Sequence, residues 1–246
     1  MPEGPSIVIL KEELQSFEGQ KVISVSGNAK IDLQRLKNLK VLALKSWGKH
    51  FLICFDGFYL RIHFLMFGTY RINDERTFAP RLKLVFKKGF VNFYSCSVKL
   101  MEGDVDDIYN WETDVMSDEW NPKLAESSLK KLKKTMVCDA ILNQDIFSGA
   151  GNIIKNEVLF RIKVHPETLL ENLPLKKLKE LVKETRQYTL EFYKWKKEFV
   201  LRKHWLIYKK SECPRCKIKA IRTYMGKTIR LTCFCGKCQK LYKKKK

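Results

Sequence analysis

Pro2 and Glu3 are the residues of this chain whose types and spacing best support covalent chemistry. Removal of Met1, which the small Pro2 permits, exposes a secondary amine on a rigid ring with a carboxylate one residue away. An α-amino group titrates at about 7.7–8.0, against about 10.4 for a lysine, so far more of it is free base near neutrality; proline's extra basicity narrows that advantage. A secondary amine condensing with an aldehyde carbon gives a cationic iminium, an electron sink that forms without further proton loss. Glu3 is placed to move protons beside it. Taken alone, the same dipeptide is an ordinary leader of helix-excluding character, so its meaning depends on the rest of the chain.

A second group of residues has the spacing of metal ligands. Cys213-Pro214-Arg215-Cys216 and Cys235-Gly236-Lys237-Cys238 are two Cys-x-x-Cys knuckles with 18 residues between them. That arrangement suits a tetrahedral four-thiolate zinc site, and with no open coordination position the zinc is expected to be structural. Cys233 is a competing ligand, but Cys235 makes the symmetrical gap to Cys238. The metal staples a hairpin, Ala220 to Tyr224 and Thr228 to Thr232 around Gly226, that is too short to hold itself together. Arg230 projects near the end of that hairpin as a phosphate ligand. Cys54, Cys96 and Cys138 lie in apolar contexts and read as small core residues.

The 246 residues carry 48 Lys and Arg against 27 Asp and Glu, a net charge of +21. Charge of this size predicts a polyanionic partner and an affinity that falls steeply with salt. No apolar run approaches the ~20 residues of a spanning helix, and the N-terminus lacks the order of a secretory signal. The expected setting is the cytosol or nucleoid, without a membrane.

Certain elements must position these groups. Ile7, Leu10, Leu14 and Phe17 mark one face of a first helix that begins at Pro5 and stops at Gly19. Strand patterns follow at Lys21 to Gly27, Lys40 to Lys45, His50 to Phe55, Phe58 to Phe64, Arg81 to Phe86 and Phe90 to Cys96. Asp56-Gly57 signals a hairpin. The pattern predicts an antiparallel sandwich or barrel with a helix laid against it. Within it, Gly48-Lys49 connects two strands, and Lys49 is either a solvated strand-end lysine or one that meets an anion close to the backbone. His63 heads the run Phe64-Leu65-Met66-Phe67-Gly68, which is core or else a wedge pushed into a base stack.

Beyond Gly103 the one acidic stretch of the chain reads as an interdomain connection. Helical patterns then span Leu124 to Lys134, Val137 to Gln144 and Ile153 to Ile162, with the longest helix after Pro174. Gly149-Ala150-Gly151-Asn152 joins two of them, where glycines admit a phosphate and Asn152 with the free N–H groups of the next helix supplies donors.

Together these stretches resemble the formamidopyrimidine-DNA glycosylase and endonuclease VIII family. The resemblance rests on Pro2-Glu3-Gly4-Pro5, Gly48-Lys49, His63 to Gly68, Gly149 to Ile153 with His165-Pro166, and Arg230 to Gln239. It implies an α+β chain with an N-terminal antiparallel β-sandwich and leading helix (1–102), an acidic interdomain connection (103–122), a helix-two-turn-helix DNA-binding domain (123–210), a zinc-finger hairpin (211–240) and a basic tail (241–246). DNA is expected in a cleft between the domains. By the same resemblance Pro2 is the nucleophile at a sugar C1′, Glu3 the acid-base residue and Lys49 a third catalytic group. Lys49, His63, Asn152 and Arg230 hold phosphates of bent duplex DNA from which a damaged base is flipped. Leu65, Met66 and Phe67 fill the vacated space.

Gly4-Pro5, Tyr94 to Ser97 and the continuous Leu65-Met66-Phe67 run are similar to the endonuclease VIII branch. No second filler loop with arginine and phenylalanine follows Phe93. Ser6 and Cys233 depart from the family pattern. The expected activity is excision of oxidised pyrimidines followed by β,δ-elimination at the abasic site, by a monomer. Oxidised purines are the alternative substrates. A damaged-DNA-binding protein without catalysis is the alternative of another class, and RNA binding ranks last because a stacking platform is missing.

Overall fold

The computed structural model describes residues 2–244; Met1 and the last two lysines of the expected tail, Lys245 and Lys246, lie outside the described residues. The chain forms two compact units whose boundary in sequence falls between Asn110 and Trp111.

In the first unit, helix α1 (Gly4–Glu13) has Pro5 in its first turn, where a missing N–H leaves no bond unmade. Ile7, Leu10, Leu14 and Phe17 are all buried as their spacing predicts, the last on a 3-10 turn over Gln15–Phe17. Each such side chain contributes roughly 1.5–3 kcal/mol by leaving water. Six strands follow: β1 (Ser24–Ser26), β2 (Ala43–Trp47), β3 (His50–Cys54), β4 (Phe58–Ile72), β5 (Leu82–Phe86) and β6 (Gly89–Glu102). They make one antiparallel sheet in the order β1-β5-β6-β4-β3-β2. The two central strands are far longer than the alternation of the sequence suggests. They are 15 and 14 residues long and pair on both sides of one register shift between Phe64 and Thr69.

One face of the sheet, through Phe51, Ile53, Leu60, Ile62, Phe64, Leu84, Phe93 and Val98, shares a single core with α1. Residues that alternate with these point the other way. There Leu52 and Tyr59 are buried, as are Val105 and Tyr109 from the start of the acidic stretch. That start is short helix α2 (Val105–Ile108), capped by the Asp104 side chain on the Asp106 amide. Lys45 pairs with Asp106 at 2.6 Å and Trp47 Nε1 donates to the Asn110 carbonyl. The acidic stretch is thereby folded rather than slack, and it straddles the unit boundary.

The second unit contains α3 (Pro122–Lys131), capped by Asn121, then α4 (Val137–Leu142), α5 (Asn152–Arg161) and the 23-residue α6 (Leu175–Lys197). A hairpin of β7 (Ile221–Met225) and β8 (Arg230–Phe234) follows. Helix α5 is the hub. Ile154, Val158 and Leu159 join the helical core on one side, and Phe160 joins Ile207, Cys213, Ala220, Cys233 and Cys235 on the other. Among the described residues no helix is long and apolar enough to cross a membrane.

Candidate functional site

Glu3 is the N-cap residue of α1, extended at φ −107° and ψ 169°, with its carbonyl accepting the Ser6 amide at 2.8 Å. It is 3% exposed, and among the described residues it is the one buried carboxylate of the first unit. The partial positive charge of a helix N-terminus favours its ionised form there and disfavours a protonated amine next to it. Pro2 is half-buried beside it. The expected loss of Met1 concerns a residue outside those described.

Gly48 and Lys49 form the two-residue turn between β2 and β3, where Trp47 pairs with His50. Gly48 has φ +54°, the left-handed conformation that a tight hairpin demands. One strand further, His50 pairs with His63, and this register brings His63 to Lys49. His63 Nδ1 lies 3.2 Å from the Lys49 carbonyl. A carbonyl only accepts, so Nδ1 carries the proton and a ligand must be met by Nε2. Nε2 donates only when the ring is charged. Burial pushes the His63 pKa below its ordinary value, the Lys49 carbonyl opposing and the charges of Lys49 and Arg61 adding to the shift. His50, edge-on to His63 at 5.3 Å, is pushed down to about 4 by burial and by His63, Arg61 and Lys49. Both shifts favour the neutral rings.

Leu65 to Gly68 form a bulge, because Phe64 pairs with Cys96 and Thr69 with Tyr94, leaving Ser95 alone opposite four residues. A side chain at Gly68 would strike Phe64 and the Ser95 carbonyl at 2.7 Å, so the bulge closes only over glycine. Its effect is to turn apolar side chains outward. Leu65, Met66 and Phe67 are 52%, 59% and 83% exposed. Leu65, Met66 and Phe67 are therefore not core residues, and of this run Phe64 alone faces the core.

In the second unit, Gly151 is the N-cap of α5 and Asn152 its first residue. Gln144 ties the preceding turn, bonding to the Leu142 and Ala150 carbonyls and the Gly149 amide. Asn152 Nδ2 donates to the Leu231 carbonyl at 2.9 Å, so this expected phosphate donor also holds the strand that carries Arg230. Arg230 opens β8, half-buried, and among the described residues it makes no ion pair.

Cys213, Cys216, Cys235 and Cys238 bring their sulfurs within 4.8 Å of one another, the Cys213–Cys238 pair at 3.9 Å. A tetrahedral ion with bonds of about 2.3 Å separates its sulfurs by about 3.8 Å, so the donor set fits such an ion. Burial opposes ionisation of Cys235, yet the Cys238 and Lys237 amides together with the Cys213 and Cys238 thiols outweigh it and hold its pKa down to about 7. Cys233 is outside the cluster; its buried sulfur faces the Lys209 amide at 3.5 Å.

Sequence reasoning passes over Lys155, Asn156 and Glu157, three consecutive buried polar residues of α5. Lys155 Nζ donates to Thr232 Oγ1 at 2.7 Å, Asn156 accepts the Cys233 amide at 2.6 Å, and Glu157 accepts the amides of Leu206, Ile207 and Tyr208. Burial raises the Glu157 pKa against the pull of those three amides and of Arg161. A polar triplet inside an otherwise apolar helix is the one sequence signal they leave.

The formamidopyrimidine-DNA glycosylase N-terminal domain matches residues 1–97, and the formamidopyrimidine-DNA glycosylase H2TH domain matches residues 112–193. Endonuclease 8-like 3 of Xenopus laevis is 33% identical over 232 residues, which cover 89% of this chain and 38% of that relative. Endonuclease 8-like 2 of Bos taurus is 31% identical over 74% of this chain and 58% of the relative. The chain thus spans about two fifths to three fifths of the length of these curated relatives. The solved structure of Lactococcus lactis formamidopyrimidine-DNA glycosylase bound non-covalently to abasic-site DNA superposes with a TM-score of 0.84, over 96% of this chain and 99% of that one. At 22% identity this last likeness is one of fold.

Proposed function

The chain belongs to the formamidopyrimidine-DNA glycosylase and endonuclease VIII family, and from that premise we propose that it is a bifunctional DNA glycosylase and abasic-site lyase of base excision repair. The observation that carries the reading is the start of the matched region. Pro2-Glu3 stands intact there, with Glu3 buried as the N-cap residue of α1, where the helix dipole favours a carboxylate over a protonated amine.

With Met1 removed, the Pro2 nitrogen attacks C1′ of the damaged nucleotide while the bond from C1′ to the base breaks. The proton of the Pro2 nitrogen passes to the departing base, and Glu3 supplies a proton to the ring oxygen as the C1′–O4′ bond breaks, which leaves an iminium between Pro2 and C1′. Loss of a C2′ proton then expels the 3′ phosphate, a second elimination expels the 5′ phosphate, and water releases the enzyme. Lys49 and His63 on the first unit, with Asn152 and Arg230 on the second, hold the flanking phosphates. Leu65, Met66 and Phe67 occupy the space that the flipped nucleotide leaves. The four thiolates hold one structural zinc ion, whose contribution is to fix the β7–β8 hairpin and with it Arg230.

Oxidised pyrimidines in duplex DNA are the favoured substrates, supported by the endonuclease 8-like relatives and by three consecutive filler side chains on a single bulge. The test is strand cleavage across duplexes carrying thymine glycol, dihydrouracil, 8-oxoguanine or a plain abasic site. Cleavage of the two pyrimidine lesions and the abasic site above 8-oxoguanine is expected. Preference for 8-oxoguanine overturns the substrate assignment, and tight binding without cleavage of any duplex overturns the enzyme.

A further inference from the structure

Phe199 stands out by two unfavourable features at once. It is 96% exposed, and its φ is +59°. It sits just past the end of α6 in a Schellman turn: the Val200 amide donates to the Trp195 carbonyl and the Phe199 amide to the Lys196 carbonyl. Glycine is the ordinary residue at this position, since the left-handed region strains any residue with a bulky side chain. A strained backbone under a fully solvated aromatic ring is an arrangement that folding alone does not favour, and such outliers point to function.

The segment is held firmly. Trp195 stacks on His204 at 4.1 Å with 3° between the ring planes, which pins the 3-10 turn Leu201–His204 back onto α6. Phe199 therefore projects from a closed loop anchored at both ends. Lys194, Lys196 and Lys197 precede it, and Arg202 and Lys203 follow on the pinned turn, against the single acid Glu198. Lys197 turns back to the Tyr193 hydroxyl at 3.2 Å, and a stackable ring flanked along the chain by these cations matches a strand that offers phosphates and an open base face together.

We propose that Phe199 and its flanking cations form a second nucleic-acid contact, in which the ring stacks on an unpaired base while the cations follow the backbone of the same strand. It is separate from the residues that excise the base and does not rest on the catalytic reading. Anisotropy titration of a short undamaged single-stranded oligonucleotide tests it with wild-type protein, Phe199→Ala, Phe199→Gly and Phe199→Trp. Both truncations should weaken binding by about tenfold, and tryptophan should restore it. The glycine variant suits the turn, so it keeps its melting temperature and separates binding from folding. Cleavage of an abasic duplex should be unchanged throughout. Wild-type oligonucleotide affinity in Phe199→Gly overturns the proposal. So does a loss confined to phosphatidylserine vesicles, which would make the surface a membrane contact instead.

Discussion

Lys49 and Arg230, both assigned to phosphates, are held in place by different means. Lys49 lies in a two-residue turn fixed by the main-chain ladder of β2, β3 and β4, and its contact to His63 uses its own carbonyl. Arg230 begins a five-residue strand that is positioned by Asn152, Lys155 and Asn156 reaching across from α5 and by four clustered thiolates, while Glu157 gathers the three amides of the segment Leu206 to Tyr208 that precedes the hairpin. A sheet presents functional groups cheaply because its backbone is satisfied whatever the side chains are. A small hairpin with almost no core must recruit buried polar groups, and each becomes costly to lose.

The largest test of that contrast is metal removal. Structural zinc contributes on the order of 10 kcal/mol to folding in small fingers, so chelation or Cys235→Ser should abolish hydrogen-exchange protection in β7 and β8 and end DNA cleavage. The six-stranded sheet should keep its protection. If both units lose protection together, the contrast fails.

Next in size is Glu157→Ala, which strands three buried amides and should lower the stability of the second unit by about 3–5 kcal/mol in urea unfolding. Lys49→Ala should change the first unit by less than about 0.5 kcal/mol while still weakening cleavage. Equal losses from the two substitutions would show that both are structural.

Acidification should act on the first unit. His50 is depressed to about 4, so its folded form binds fewer protons than the unfolded chain. The stability this provides is complete above about 6.5 and is lost as pH falls toward 4, at most about 3 kcal/mol. Urea titrations across that window should have a steep slope in the wild type and a flatter one in His50→Gln. The smallest effect should come from the bulge. Met66→Ala with Phe67→Ala should reduce lesion excision about tenfold with melting unchanged, because those side chains are already in water.

Much of this was legible in the residues. The 3.6-residue spacing of Ile7, Leu10, Leu14 and Phe17, the Asp56-Gly57 turn and the paired cysteine knuckles each carry their own local physics. The continuation of β4 past Phe64 was not legible, since a four-residue bulge against Ser95 interrupts the alternation that defines a strand. Nor was the burial of Lys155, Asn156 and Glu157, whose partners lie 49 to 77 residues away. On one helix such residues read as a solvent face, and only β8 packed against Lys155 and Asn156, with the segment Leu206 to Tyr208 against Glu157, reverses that. The second task of Asn152, bonding the Leu231 carbonyl, is hidden for the same reason.

The central claim is that Pro2 is the nucleophile. Borohydride reduction during reaction with an abasic duplex converts the iminium into a stable protein–DNA adduct. The account predicts such an adduct for the Met1-processed protein, mapped by mass spectrometry to Pro2 and absent from a Pro2→Gly variant that blocks its terminal amine by acetylation. An adduct that maps to Lys49 or another lysine, or none from processed protein that still cuts the duplex, would contradict it.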